Sequence, residues 1–195
     1  MSGHPRIVLA AAVLLTACTT TPTPSTSAPS APAATVPGAT VPGASSTPGE
    51  GCAVPEQTGI LRSNTLLTLS ISSDGLSDAV AFRLGEIAPG PTGSSGRLQA
   101  VRPPFVQGGS GLPVGILGEH FVEIHFEGML LADETGKPTY LGQSSARPDM
   151  LAVEQVEMTE AFEGVYNFVI GYRGPGCVAL AEDAAAKTLT VTIGH

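Results

Sequence analysis

His120-Phe121-Val122-Glu123-Ile124-His125-Phe126-Glu127 is the stretch whose reading decides the architecture. Val122, Ile124 and Phe126 alternate with Glu123 and His125, and a period of two puts successive side chains on opposite faces of a strand. The same alternation recurs outward in both directions. Leu67, Leu69 and Ile71 alternate with Thr68, Ser70 and Ser72; Val80, Phe82 and Leu84 with Ala81 and Arg83; Leu189, Val191 and Ile193 with Thr188, Thr190 and Thr192. Each run predicts a half-buried strand. Residues 165–172 predict another, with Tyr166, Phe168 and Tyr172 on one face, and residues 151–158 read as a strand leading into a turn at Gly164. Only residues 181–187 read as helical, over barely two turns. Gly and Pro clusters at residues 89–96, 103–111, 136–138 and 174–176 punctuate the runs. Seven or eight short strands separated by such turns predict an all-β domain, an antiparallel β-sandwich or a partly closed barrel with at most one short helix.

The amino end has a different character. A short polar stretch with one basic residue, Arg6, precedes an apolar run from Ile7 to Leu15. That run is too short to span a bilayer as a helix, which takes roughly 20 residues, and it reads as a signal peptide over residues 1–17. Leu15-Thr16-Ala17-Cys18 resembles the lipobox of bacterial lipoproteins. The resemblance implies a thioether to diacylglycerol on the Cys18 sulfur and cleavage before it, which anchors the chain to the outer face of a cell membrane. Residues 18–51 are then the lipidated cysteine and a linker of almost nothing but Thr, Pro, Ser, Ala, Gly and Val, with the tandem Ala34-Thr35-Val36-Pro37-Gly38 and Ala39-Thr40-Val41-Pro42-Gly43. Such a composition buries too little apolar surface to offset the entropy of ordering, which predicts a disordered stalk spanning ~30 Å as a coil and ~100 Å fully extended. Residues 52–195 form the folded domain.

With Cys18 taken by lipid, Cys52 and Cys177 remain as an even pair in an exported chain. A disulfide between them would bracket almost the whole domain and contribute up to about 4–5 kcal/mol on the chain-entropy model. Two free thiols are the alternative. The chain carries nine basic and 17 acidic residues. Loss of Arg6 with the signal peptide leaves eight basic groups, so the mature chain is near -9. That balance argues against nucleic acid, whose recognition starts from a basic footprint. A wall ligand would have to be held by neutral hydrogen bonds and stacking rather than by bulk charge.

Several motifs come in order along the domain: Gly109-Ser110-Gly111-Leu112-Pro113-Val114, the strand around residues 121–126, and Asp133-Glu134-Thr135-Gly136-Lys137-Pro138-Thr139-Tyr140-Leu141-Gly142. Phe162-Glu163-Gly164-Val165, Ile170-Gly171-Tyr172 and Leu189-Thr190-Val191-Thr192-Ile193-Gly194-His195 follow. The succession resembles the AMIN-like domain of actinobacterial secreted proteins and lipoproteins, from about Leu66 to the end. Where that family has an aromatic-Asp-Arg strand start, this chain has Leu76-Ser77-Asp78-Ala79-Val80. The resemblance implies a β-sandwich that localises partners through peptidoglycan or an envelope protein, with no cofactor and no catalytic residue.

Three sets of residues are candidates for chemistry. Glu123, His125 and Glu127 share one strand face, a spacing suited to a three-ligand metal comb and equally to a solvated face, with His120 pointing the other way. Ser110 sits in a Gly-rich turn without the Gly-x-Ser-x-Gly string of a nucleophile elbow. For a sugar ligand, Tyr140, Phe162, Tyr166 and Tyr172 are the available stacking platforms, since the chain has no Trp; Tyr140 is expected in an exposed turn, and core packing is the competing role for each ring. A noncatalytic envelope-binding module leads the functional readings. A carrier of a small apolar ligand or lipid in a β-sandwich cavity follows, and a hydrolase comes third.

Overall fold

The computed structural model describes residue 54 and residues 56–195. The expected signal peptide, Cys18, the linker and Cys52 lie outside the described residues. Twelve strands run in order: β1 (Gln57–Thr58), β2 (Leu66–Ser73), β3 (Ser77–Leu84), β4 (Arg97–Ala100), β5 (Phe105–Val106), β6 (Pro113–Val114), β7 (His120–Phe126), β8 (Ser145–Ala146), β9 (Val153–Phe162), β10 (Val165–Tyr172), β11 (Val178–Asp183) and β12 (Thr188–Gly194). Eight of them have four residues or more: six are the runs predicted as strands, while β4 and β11 are not among those runs, and the other four are two-residue pairings too short to show a period.

The strands form a six-stranded sheet in the order β1-β4-β7-β10-β9-β8, a four-stranded sheet in the order β11-β12-β3-β2, and a separate β5-β6 ribbon, all antiparallel. The core lies where the inner faces of the two larger sheets meet. Val122, Ile124 and Phe126 from β7, with Phe168 and Ile170 from β10, are fully buried on one side. Val80 and Phe82 from β3, with Leu189, Val191 and Ile193 from β12, are fully buried on the other. Phe82 joins the layers, its ring centroid 5.6 Å from Phe126 and 5.1 Å from Phe168. Edge-to-face contact of this kind adds to the burial itself. The all-β sandwich is therefore read correctly from the alternation.

The short helix expected at residues 181–187 is not formed, and no helix occurs among the described residues. Ala181, Glu182 and Asp183 pair with Thr190, Leu189 and Thr188, and Asp183 Oδ1 then accepts the Ala185 and Ala186 amides at 2.9 Å to shape the turn into β12. Lys187, at φ 51°, completes that turn in the left-handed region. Alanine's helical preference amounts to only tenths of a kcal/mol per residue, and two turns cannot recover the cost of nucleation. Six residues of cross-strand pairing prevail.

One buried charge ties the layers together. Asp78 on β3 is fully buried, and its Oδ2 accepts the backbone amides of Ala152 at 2.7 Å and Val153 at 2.9 Å, at the start of β9 in the other sheet. Its Oδ1 lies 3.0 Å from His195 Nε2. Burial pushes this carboxyl upward, but the Val153 and Ala152 amides, with Ser73 and His195, outweigh it and hold it below the usual carboxylate range.

Candidate functional site

The face of the six-stranded sheet that points away from the core carries the polar chemistry. On β7, Glu123 and His125 alternate outward between buried neighbours, as the sequence predicts. Register sets Gln99 and Arg97 of β4 beside them on one side, and Val169 and Asn167 of β10 on the other. A bulge in β9 adds to the set. Pairing with β10 jumps from Glu160 opposite Asn167 to Met158 opposite Phe168, so Glu157 and Glu160 both reach the outer face with Thr159 between them.

Hydrogen bonds commit these groups in a defined order. Gln99 Nε2 donates to Glu123 Oε1 at 3.0 Å. Asn167 Nδ2 donates to Glu160 Oε2 at 2.7 Å, which fixes the orientation of the amide and turns its Oδ1 to His125 Nδ1 at 2.6 Å. Because Oδ1 only accepts, Nδ1 carries the imidazole proton there. His125 Nε2 is left facing Glu127 Oε2 at 3.7 Å.

The β5-β6 ribbon covers part of this face. Phe105 meets the Phe121 ring edge-on at 5.0 Å, Gly108 N donates to the Thr159 carbonyl at 2.7 Å, and Leu117 N donates to Gln155 Oε1 at 3.0 Å. Gly171 makes the close approach possible, since a Cβ there would overlap the Leu117 carbonyl oxygen. Val169, although on the outward face, is consequently only 1% exposed. Beside the ribbon opens a groove of about 310 Å³ lined by Arg102, Phe105, Glu123, Glu160, Asn167 and Val169. A second groove on the same face, about 250 Å³, is lined by Thr58, Arg62, Ser94, Arg97, His125 and Glu127.

The aromatic candidates separate sharply. Tyr140 is buried rather than exposed, which corrects its expected position: its ring lies 5.8 Å from Tyr166 and 5.6 Å from Phe168, and its hydroxyl donates to the Gln143 carbonyl at 2.7 Å. Burial, reinforced by Tyr166, pushes its phenol up to about 12. Tyr166 and Tyr172 are also buried, the latter with its phenol raised by burial and its ring against His120. Tyr140 and Tyr166 spend their ring faces on core neighbours, and Tyr172 spends one on His120. Phe162 stands apart at 47% exposed, and a Cβ on Gly109 at the ribbon's tip would lie 3.5 Å from its ring, which places it beside the covering ribbon.

Glu123, His125 and Glu127 do share one face, but no group of three or more His, Cys, Asp or Glu side chains arranged to hold a metal exists among the described residues. Ser110 lies in an exposed turn, its Oγ 3.4 Å from the Leu112 amide that donates to it. Cys177 is engaged, and its expected partner Cys52 is outside the described residues. Sequence reasoning missed Arg62, Arg97, Arg102, Asn167 and Glu160. Only Asn167 left a signal, as a polar residue inside the apolar run Val165–Tyr172.

A family model, the AMIN-like domain, matches residues 87–194. The matched span starts later than Leu66, so β2 and β3 lie outside it although they supply half of the second sheet. Comparison with curated proteins and with solved structures returns no match.

Proposed function

The chain belongs to the AMIN-like domain family, and from that premise we propose that it is a noncatalytic binding module of the cell envelope whose ligand surface is the outer face of the six-stranded sheet. The observation that carries this reading is the groove beside the β5-β6 ribbon. There Arg102, Glu123, Glu160 and Asn167 present hydrogen-bonding groups between the apolar walls of Phe105 and Val169. Concave sites that combine a few convergent polar groups with apolar walls are the usual form of a ligand site. Phe162, exposed next to the ribbon, supplies a stacking surface at its end. The mixture of two carboxylates, one guanidinium and an amide suits peptidoglycan, a polymer rich in hydroxyls and amides, better than a purely anionic one. Phe82, Phe126 and Phe168 occupy the space between the sheets in which a lipid carrier would hold its cargo.

The module works outside the cytoplasm. Cys18 bears the lipid that anchors it to the membrane's outer face, residues 18–51 act as the stalk, and residues 52–195 form the domain, stapled by a Cys52–Cys177 disulfide. Three measurements test these elements. Full-length protein incubated with purified peptidoglycan sacculi should co-sediment, and Arg102→Ala combined with Phe162→Ala should reduce the bound fraction at least fivefold; failure of the unaltered protein to co-sediment overturns the binding reading. Cys18→Ala should move the protein from the membrane to the soluble fraction. Intact mass should rise by two hydrogens on reduction, and an unchanged mass rules out the disulfide.

A further inference from the structure

The second groove on the outer face, distinct from the one beside the ribbon, has charges of both signs in its lining, within a volume of about 250 Å³. His125 and Arg97 are direct cross-strand partners in the β4/β7 register, so their side chains leave the sheet next to each other. The Asn167–Glu160 relay keeps the proton on His125 Nδ1 and leaves a lone pair on Nε2. That lone pair faces another acceptor, Glu127 Oε2, at 3.7 Å. With the imidazole neutral, the two acceptors have no donor between them, and a cationic N–H donor placed there would bridge both.

For the guanidinium groups in the same lining the situation is reversed. Arg97 reaches only a solvent-exposed partner, with Nη1 3.8 Å from Glu56 Oε1, beyond hydrogen-bond length. Arg62 gives one Nη2–H to the Gly93 carbonyl at 2.9 Å. Each guanidinium has five N–H donors, so most of them remain for an incoming anion. Thr58 and Ser94 supply hydroxyls to the same lining, and Ser94 Oγ accepts the Glu127 amide at 2.9 Å, which steadies the backbone that carries the acceptor.

We propose that this groove binds a free amino-acid zwitterion, the ammonium held by His125 Nε2 and Glu127 and the carboxylate by Arg97 and Arg62. The juxtaposition of an acceptor pair with two under-used guanidinium groups, Arg97 on the strand beside His125 and Arg62 on the segment between β1 and β2, suits an ammonium and a carboxylate borne on one carbon. A simple anion would meet repulsion from Glu127, and a simple cation would meet it from the arginines. The inference rests on the envelope-binding reading for its ligand source, the peptide component of the wall, where a free amino-acid end carries both charges. The same chemistry is available from free amino acids.

The test is calorimetric titration of the full-length protein with 2,6-diaminopimelate, against pimelate, which lacks the ammonium groups, and 1,5-diaminopentane, which lacks the carboxylates. Saturable one-to-one binding of diaminopimelate is expected, with both analogues at least tenfold weaker. Arg97→Gln and Glu127→Gln should each weaken diaminopimelate binding at least tenfold while leaving the unfolding midpoint in place. Equal binding of pimelate, an unchanged affinity in both variants, or no binding of diaminopimelate at millimolar concentration overturns the proposal. Sacculus co-sedimentation run in parallel separates the two readings. Retention on sacculi without diaminopimelate binding sinks only the zwitterion site, whereas diaminopimelate binding without retention sinks the wall-binding reading and leaves free amino acids as the ligand.

Discussion

Replacing Asp78 by Ala should cost the domain a large share of its stability. Two buried backbone amides, those of Ala152 and Val153, donate to Oδ2 at 2.7 and 2.9 Å, and no solvent reaches the site. Hydrogen bonds to a charged group contribute about 1.5–3 kcal/mol each, so losing both costs about 3–6 kcal/mol. A domain of this size has about 5–15 kcal/mol in total, and the variant should be marginal or unfolded at 37 °C. Asp78→Asn retains the shape and one acceptor oxygen on which both amides can still converge, but loses the charge that strengthens those bonds, and should lose about half as much. Urea titration followed by far-ultraviolet circular dichroism reads both values. The pH dependence supplies an independent arm. A carboxyl held below its unfolded value of about 3.9 contributes stability that is fully present above that pH and is lost as pH falls through the folded value. The gap between the unaltered protein and Asp78→Asn should therefore narrow below about pH 4. A cost under about 1 kcal/mol for Asp78→Ala, or a gap that stays constant from neutral pH into that acid window, would refute the reasoning.

Other substitutions address the core, the ribbon and the relay. Phe82→Ala removes the ring that joins Phe126 and Phe168 across the layers, and should cost about 3–5 kcal/mol in the same urea assay. Gly118→Ala places a Cβ 2.8 Å from the Gly171 Cα at a φ of 148°, and should destabilise by about 1–3 kcal/mol and loosen the ribbon, seen as faster amide exchange at Gly108. Nitrogen-15 spectra of the imidazole should show the His125 proton on Nδ1 in the unaltered protein; Asn167→Leu, which removes the acceptor, should shift it toward Nε2. A proton already on Nε2 in the unaltered protein contradicts the relay.

The strands legible in the sequence are those with one face on the core. Val122, Ile124 and Phe126 lie opposite Val80 and Phe82, and burial of one face is what imposes a period of two. β5, β6 and β8 have two residues each and carry no period, so the ribbon that shapes the outer face registered only as a cluster of Gly and Pro. Residues 181–187 were misleading because local preference for helix is weaker than pairing with a strand that closes the sheet. Glu123 and His125 were placed on the right face by alternation alone. Arg62, Arg97 and Glu160 reach that face from three separate parts of the chain, by register and by a bulge, and neither leaves a mark in local spacing. Tyr140 shows the opposite failure, since a turn can fold its ring inward when Tyr166 and Phe168 offer it a surface.

Gln57 has a mechanical consequence. Its backbone belongs to β1 at the edge of the six-stranded sheet, while its side-chain amide bonds both ways to β11, accepting the Leu180 amide at 2.9 Å and donating to the Val178 carbonyl at 3.4 Å. Two residues further on, Glu182 Oε1 accepts the amides of Ile60 at 2.8 Å and Leu61 at 3.0 Å, and Gly59 N donates to the Gly96 carbonyl at 2.9 Å. Tension entering from the amino-terminal side is thus divided between the edges of both sheets before it reaches β2. Several short bonds in parallel must shear together, so the domain should bear a pull along its leading segment without peeling open one strand at a time.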